Sequence, residues 1–455
     1  VCFKKVMVEY DYNFYTEGYS LGADPDILYG LFSSHSYWAP TGWSGGYQGY
    51  CDKRYDVHVD KVVYGANQFV AKMGVRNCTY LGNKYAAWMP VWASAGVHGY
   101  RKGWTGVTNL KGYGVAGSPT GGQYPWTFLS AYRPDPAMAG EIRWGFKDLL
   151  EGPHVITAEW VWDWEVLSIM YDSLICRDPY DLTKDFGLLA LQKPGPDGVW
   201  NTPDDEIGWS EGTWLLDGDT CSWVNFTLRE EVKFHDGTPL TPDDVKFSLE
   251  FVRDCGPGIA WNYAPACTEL YEVTTWDHRA TCGGWGVVVY FSTITPWARH
   301  WSGYMPIISK DIWLAANSYY GWGYVWPTTP GKHWTWNRLG VRAYHPWEHD
   351  VYNATSGGAG PDGIVDIKQD GTGAYYWFGS DPLLSEWVEL KAFCNWYLSE
   401  EEVTDYLADA FHFVGDVDFN RLIDTVDLGR LAHAFQTWPG CPGGTGTGWW
   451  QWNPD

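Results

Sequence analysis

The alternation of apolar and polar positions is clearest at Trp223-Val224-Asn225-Phe226-Thr227-Leu228, where a period of two predicts a strand with one buried face. Val232-Lys233-Phe234-His235 continues the pattern and runs into Asp236-Gly237, a turn signal. A helix is predicted next. Thr241 stands as N-cap, Pro242 takes the first helical position, Asp244 sits three residues on as in a capping box, and Leu240 can staple to Val245. Phe247, Leu249, Phe251 and Val252 supply the apolar contacts of that helix. Upstream, Ile156, Trp160, Trp164, Leu167, Tyr171 and Leu174 recur at helical spacing and predict one buried amphipathic helix. Gly286 to Phe291 reads as a buried strand, and Pro306 to Lys310 as the edge of an element before a helix over 311–316.

Residues before about 129 read as mixed strand and helix, closed by the Gly-rich stretch 112–122, which places a boundary between 120 and 140. Beyond 350 acidic loops dominate, and 441–455 is Gly-rich with Trp449, Trp450 and Trp452. The 455 residues allow two or three domains at roughly 150 residues each. No apolar run approaches the roughly 18 residues of a membrane helix. The chain starts Val1-Cys2-Phe3-Lys4, with no initiator Met and no apolar signal core, so the expectation is a processed chain or a piece of a longer precursor.

Charge excludes some partners. Lys and Arg number 31 against 55 Asp and Glu, a formal net charge of -24, which repels nucleic acid and anionic membrane surfaces. The 32 Trp and 31 Tyr exceed ordinary usage and predict rings that line a groove or stand exposed. Ten cysteines occur with no C-x-x-C spacing, which argues against zinc ribbons and thioredoxin chemistry and makes disulfides the default expectation. Three Asn-x-Thr sequons, at Asn77, Asn225 and Asn353, agree with an extracellular or cell-surface glycoprotein.

The segment Val232-Lys-Phe-His-Asp-Gly-Thr-Pro-Leu-Thr-Pro-Asp-Asp-Val-Lys-Phe-Ser-Leu-Glu250 resembles the most recognisable motif of family 5 extracellular solute-binding proteins, in an archaeal-like form. These are the oligopeptide- and dipeptide-binding components of ABC importers. Its physical content is the strand, turn and capped helix above, so the motif is architectural. Tyr171-Asp172-Ser173-Leu174-Ile175 and Pro306 to Trp313 are similar to parts of the family's first lobe. Asp370-Gly-Thr-Gly-Ala-Tyr-Tyr-Trp377 with Val388-Glu-Leu-Lys-Ala392 is similar to its crossover into the second lobe. Gly18 to Asp26, Met89-Pro-Val-Trp92 and Tyr100 to Val107 resemble the family's closing part, although they come first here.

The expected fold class is therefore α/β: a periplasmic-binding-protein-like (type II) lobe with its halves in reversed order and the second lobe largely missing, plus a small EF-hand-like, dockerin-like C-terminal element. By this reading 1–130 resembles the closing part, 141–397 the opening lobe up to the crossover, 398–440 a dockerin-like calcium element and 441–455 a Gly/Trp-rich tail. A duplicated lobe in a longer precursor and a circularly permuted single lobe both fit that order.

Asp416-x-Asp418-x-Asn420-x-Leu422-x-Asp424-x-x-Asp427 places oxygen ligands at positions 1, 3, 5, 9 and 12, with the Leu422 carbonyl at 7. This is the spacing of a structural calcium loop. The apolar helix positions that follow resemble a dockerin-type repeat. Position 6 is Arg421 in place of the usual Gly, a cost of about 1 kcal/mol. Two further acidic loops are calcium candidates: Asp197, Asn201, Asp204 and Asp205 in one, and Asp350, Asp362, Asp366 and Asp370 in the other.

Catalysis is not expected. Glu159, Asp163 and Glu165 share a helical stretch without facing another carboxylate, His235-Asp236 reads as a turn, and no serine elbow, zinc-protease helix or phosphate loop occurs. The reading is an extracellular peptide-class solute-binding protein of an ABC importer, or a derivative of one, stabilised by calcium. Asp24 would meet a ligand amine, and Trp92 or Trp104 would line an apolar wall. Its partners would be peptides and a transporter permease. The alternative is a non-enzymatic structural subunit that self-assembles with identical copies into an extracellular layer, fibre or tube.

Overall fold

A computed structural model describes residues 24–35, 50–85, 99–110, 122–133, 142–146, 160–200, 202–255, 260–281, 283–313, 370–380 and 387–407, with a few single positions and pairs besides. The described chain is mixed α/β. It opens with helices α1 (Ile27–Phe32), α2 (Lys53–Val63) and α3 (Gln68–Tyr85), followed by α4 (Thr127–Ser130) and α5 (Val161–Leu167). Asp52 caps α2 through a 2.9 Å bond from the Arg54 amide to its carboxylate. Two short antiparallel pairs follow, β1 (Ile175–Arg177) with β2 (Asp185–Gly187) and β3 (Gln192–Lys193) with β4 (Glu206–Ile207).

The main sheet has four antiparallel strands in the order β5 (Trp209–Leu216), β6 (Asp219–Thr227), β8 (Trp285–Phe291), β7 (Leu270–Asp277). Asp217 (φ 53°) and Gly218 (φ 99°) turn β5 into β6, the left-handed pair that a two-residue hairpin requires. The predicted alternation holds: Val224 and Phe226 of β6 lie beside Val289 and Val287 of β8, and all four are fully buried.

Helix α6 (Pro242–Cys255) begins where the sequence predicts and packs on β7 and β8. Its cap is a variant of the expected one. The Asp244 carboxylate accepts from the Thr241 amide at 2.9 Å and also takes the Thr241 hydroxyl at 2.6 Å. The hydroxyl is thereby used as a donor and does not cap the helix. The second oxygen of Asp244 accepts from the Lys310 amide at 3.0 Å, so one carboxylate ties α6 to the helix that starts at 310. At the preceding turn Gly237 adopts φ 90°, and Asp236 Oδ1 takes the Thr238 amide at 2.8 Å.

The predicted helix through Ile156 to Leu174 is shorter. Trp160 is extended, α5 stops at Leu167, and Ser168 caps it. Backbone donors from distant segments claim the carbonyls beyond: Tyr375 N bonds Ile169 O, Gly373 N bonds Met170 O, Ile307 N bonds Asp172 O, and Leu188 N bonds Leu174 O. A continued helix would need those same oxygens. The apolar positions are buried as expected, because Ile156, Leu167, Tyr171 and Leu174 enter the core from turn and strand.

Helices α7 (Ala264–Glu269) and α8 (Ala298–Gly303), the pair β9 (Tyr375–Ser380) with β10 (Val388–Ala392), and α9 (Glu400–Tyr406) complete the described elements. One apolar core unites Tyr55, Val59 and Val62 of α2 with Leu167, Phe226, Phe247, Val289 and Trp377. The parts on either side of the expected boundary near 130 thus share a single interior. Among the described cysteines, Cys78, Cys176, Cys221, Cys267 and Cys394 carry free thiols, so these five do not supply the disulfides expected from the sequence. Two of the buried ones bond backbone oxygens instead, Cys267 to Val252 at 3.2 Å and Cys221 to Ser292 at 3.1 Å.

Candidate functional site

The polar residues of the interior gather where α1, the β1–β2 pair and α8 meet. Register places Arg177 opposite Asp185 on β1 and β2, and α8 supplies Arg299, His300 and, one residue past its end, Tyr304. Arg177 donates to Asp24 at 2.6 Å, and His300 Nδ1 lies 2.8 Å from the same carboxylate oxygen. Arg299 reaches Asp185 at 2.9 Å, and the Tyr304 hydroxyl donates to Asp185 at 2.6 Å. The imidazole of His300 stacks on the Tyr304 ring at 4.9 Å. Burial alone would depress the His300 pKa, but Asp24 and Asp185 outweigh it and raise it to about 9. Burial likewise pushes Asp24 and Asp185 upward, and their cationic neighbours win, holding both below the ordinary carboxylate range.

Beside this cluster lies a partly open cavity of about 30 Å³, lined by Gln123, Tyr124, Trp164, Ser168, Tyr171 and Tyr304 among others. That is room for about two water-sized groups. Gly122 makes the wall: it adopts φ 76°, and a Cβ there would sit 2.6 Å from the Tyr304 ring, so only glycine lets Gln123 take its place. Behind Tyr124, the Asp172 carboxylate accepts from Tyr124 at 2.9 Å, Tyr397 at 2.9 Å and the Trp396 indole at 3.1 Å. Burial pushes Asp172 up to about 6 despite these three donors. A second buried knot pairs Arg229 with Glu402, which also accepts from the Tyr406 hydroxyl at 2.7 Å.

The sequence-derived site residues are dispersed. Asp24 is met by two cations, so a ligand amine would have to displace Arg177 and His300; its carboxylate ties α1 to β1 and α8. Trp104 is half-buried with the Arg133 guanidinium 5.7 Å from its ring. Asp197, Asp204 and Asp205 share one turn and are engaged within it or beside it: Asp197 accepts from Val199 N at 2.9 Å, Asp204 from the Thr202 hydroxyl at 2.7 Å, and Asp205 from Gln192 at 2.7 Å. Asp370 is buried and accepts from the Asp236 amide at 3.0 Å. Asn77 lies on α3 with its amide 3.3 Å from His58, and Asn225 lies within β6, accepting from Trp276 at 2.8 Å. Neither occupies a surface loop. Trp92, Asn201, Asn353, Asp350, Asp362, Asp366, and the loop of Asp416, Asp418, Asn420, Leu422, Asp424 and Asp427 lie outside the described residues. Among the described residues no group of three or more His, Cys, Asp or Glu side chains is placed to hold a metal ion.

Sequence reasoning missed Gln123, Ser168, Arg177 and His300, which carry no local signal. Asp172 stood inside a quoted motif, but nothing around it announced three aromatic donors.

The segment that builds the sheet and its capped helix is also the one that comparison with known proteins picks out. Residues 211–277 match the family model for bacterial extracellular solute-binding proteins, family 5 middle. The match runs through β5, β6, α6 and β7. Among curated proteins, the chain is 34% identical over 97 residues to the "Probable peptide-binding protein YejA" of Agrobacterium fabrum, covering 21% of this chain and 12% of that protein. It is 29% identical over 133 residues to the "Peptidoglycan-binding protein YepA" of the same organism, covering 27% of this chain and 18% of that protein. The chain thus spans less than a fifth of the length of these two relatives. Solved structures that resemble it include Haemophilus influenzae OppA in complex with RPPGFSPFR, with TM-score 0.32 and 12% identity over 54% of this chain and 37% of that one. Helicobacter pylori DppA in complex with the peptide STSA matches with TM-score 0.31 and 12% identity, over 55% of this chain and 38% of that one. No helix among the described residues is long and apolar enough to cross a membrane.

Proposed function

We propose that this chain is part of an exported, peptide-class solute-binding protein of an ABC importer, or a derivative of one. The family match over 211–277 carries the reading, because it falls on the strand, turn and capped helix that organise the core. The peptide-binding name of a curated relative supports the ligand class. A transporter permease would be the partner, and calcium on the 416–427 loop would stabilise the chain. Titration with a library of short peptides, followed by intrinsic tryptophan fluorescence, tests it. A saturable change supports the reading, and no response across the library overturns it.

One observation favours the alternative of a self-assembling structural subunit. Helix α3 exposes Phe69 (72%), Met73 (39%) and Tyr80 (62%) along its outer side, interleaved with exposed Lys72, Arg76 and Lys84. An apolar and basic stripe on a chain of net charge -24 complements the acidic surface of another copy. Light scattering with and without a calcium chelator decides: large regular particles that dissociate on chelation support this reading, and a monodisperse monomer in both conditions refutes it.

A further inference from the structure

Helix α3 carries a face that its own chain leaves uncovered. Ala71, Gly74, Cys78 and Leu81 turn inward. Phe69, Lys72, Met73, Arg76, Tyr80 and Lys84 are all exposed and follow one another at the three- and four-residue steps that align side chains along one side of a helix. The helix contains no acidic residue, and among the described residues none of these three cations is ion-paired. Lys84 lies 5.6 Å from the Tyr80 ring, so the basic and aromatic parts of the stripe form one surface.

A stretch of opposite character lies elsewhere in the same chain. Between Lys193 and Arg229 there is no Lys, Arg or His. Asp204 and Glu206 are exposed just before β5, and Asp217 and Asp219 just after it. Between them along the chain stand the exposed apolar side chains of Ile207 (52%) and Leu215 (70%). Glu211, the acid within β5, is already held by Arg299 at 2.9 Å, so the acids at the two ends carry the uncompensated charge.

The two surfaces match in length as well as in charge: 18 residues of helix and 8 of strand each span about 27 Å. A partner for the α3 stripe must be acidic and must set apolar groups among its acids. The β5 face has both features. Each surface is exposed within a single copy, so neither covers the other there, and the contact they fit is one between copies. Opposite charge steers such an encounter and fixes its register, and the apolar groups exclude water from it.

We propose that α3 of one copy docks on the β5 face of a second copy, with Lys72 and Arg76 against the acids that flank β5 and with Phe69, Met73 and Tyr80 against Ile207 and Leu215. The contact joins two unlike surfaces, and every copy has one of each to offer. That the partner is a second copy rests on the self-assembly reading above, which this contact deepens.

The test is sedimentation of the full chain at low salt and at about 0.5 M salt. The parent associates at low salt and at least about tenfold more weakly at high salt. Lys72→Glu with Arg76→Glu stays monomeric, and so does Glu206→Lys with Asp219→Lys. All four positions are exposed, so both variants melt close to the parent. An equimolar mixture of the two variants associates as the parent does, because each reversed face then meets its opposite. The inference is overturned if either variant alone associates as the parent does, or if the mixture stays monomeric. It is also overturned if the parent binds phosphatidylglycerol vesicles through α3 without self-associating, the stripe then facing a lipid surface. Association that ignores both reversals sinks this contact alone and leaves the self-assembly reading standing. A closed dimer that obeys the charge swap sinks the layer, fibre or tube and leaves this contact standing, and a monomer at every salt concentration removes both.

Discussion

The Trp396 indole donates to Asp172 at 3.1 Å across 224 residues of sequence, so the segment around β10 and α9 is latched onto the wall of the central cavity. Tyr397 makes the same reach at 2.9 Å. Asp172→Ala leaves these two donors and the Tyr124 hydroxyl without an acceptor, which should cost about 2–4 kcal/mol. Urea unfolding monitored by tryptophan fluorescence measures it, and a loss below experimental error would mean that the latch carries no stability.

His300 makes the stability pH-dependent on the alkaline side. Its folded pKa of about 9 stands above the ordinary 6.5, so the native state holds a proton that the unfolded chain releases. The contribution, about 2–3 kcal/mol, is complete below the ordinary value and lost as pH rises through about 9. Melting temperature followed from pH 6.5 to 9.5 should fall, and His300→Gln should flatten that fall while lowering the starting value. An unchanged slope in the variant would assign the titration elsewhere.

Asp172 acts in the same direction as His300, at lower pH. Its folded pKa of about 6 lies above the usual 3.8, so the native state binds the proton more tightly, and this group favours folding most below 3.8. That contribution declines as pH climbs toward about 6. Asp26, which burial and the neighbouring Asp24 push up to about 7, adds to the same decline. Acid titration of stability in Asp172→Asn should show a shallower slope between pH 4 and 6 than the parent does.

The Asp244 carboxylate joins the start of α6 to residue 310. Asp244→Ala removes acceptors for two backbone amides and should cost about 2 kcal/mol, whereas Thr241→Ala removes only a side-chain donor and should cost about 0.5 kcal/mol or less. Thermal melts of the two variants check the order; a larger effect at Thr241 would restore the ordinary capping role of its hydroxyl.

Calcium is expected to raise the melting temperature by binding the native chain. Excess chelator should lower it, and Asp416→Ala with Asp424→Ala should remove the difference. An unchanged melt with excess chelator would rule the structural ion out.

Local pattern carried the middle of this chain. The strand around Val224 and Phe226, the Asp236-Gly237 turn, the start of α6 at Pro242 and the strand ending at Phe291 all depend on interactions within a few residues, which periodicity and capping chemistry report directly. The Asp217-Gly218 hairpin was equally local and could have been read the same way. The end of α5 could not, because carbonyls of residues 169–174 are taken by amides of Leu188, Ile307, Gly373 and Tyr375.

The sequence by itself determined the strand, turn and capped helix from Trp223 to Val252, because neighbours along the chain decide alternation, turns and caps. Only the tertiary structure decided that Asp24 faces Arg177 and His300, 153 and 276 residues away, and that Gln123 and Ser168 share one small cavity. A side chain's partners in the interior are set by packing of distant segments, and no spacing along the chain encodes which carboxylate meets a cation or which amide is left open.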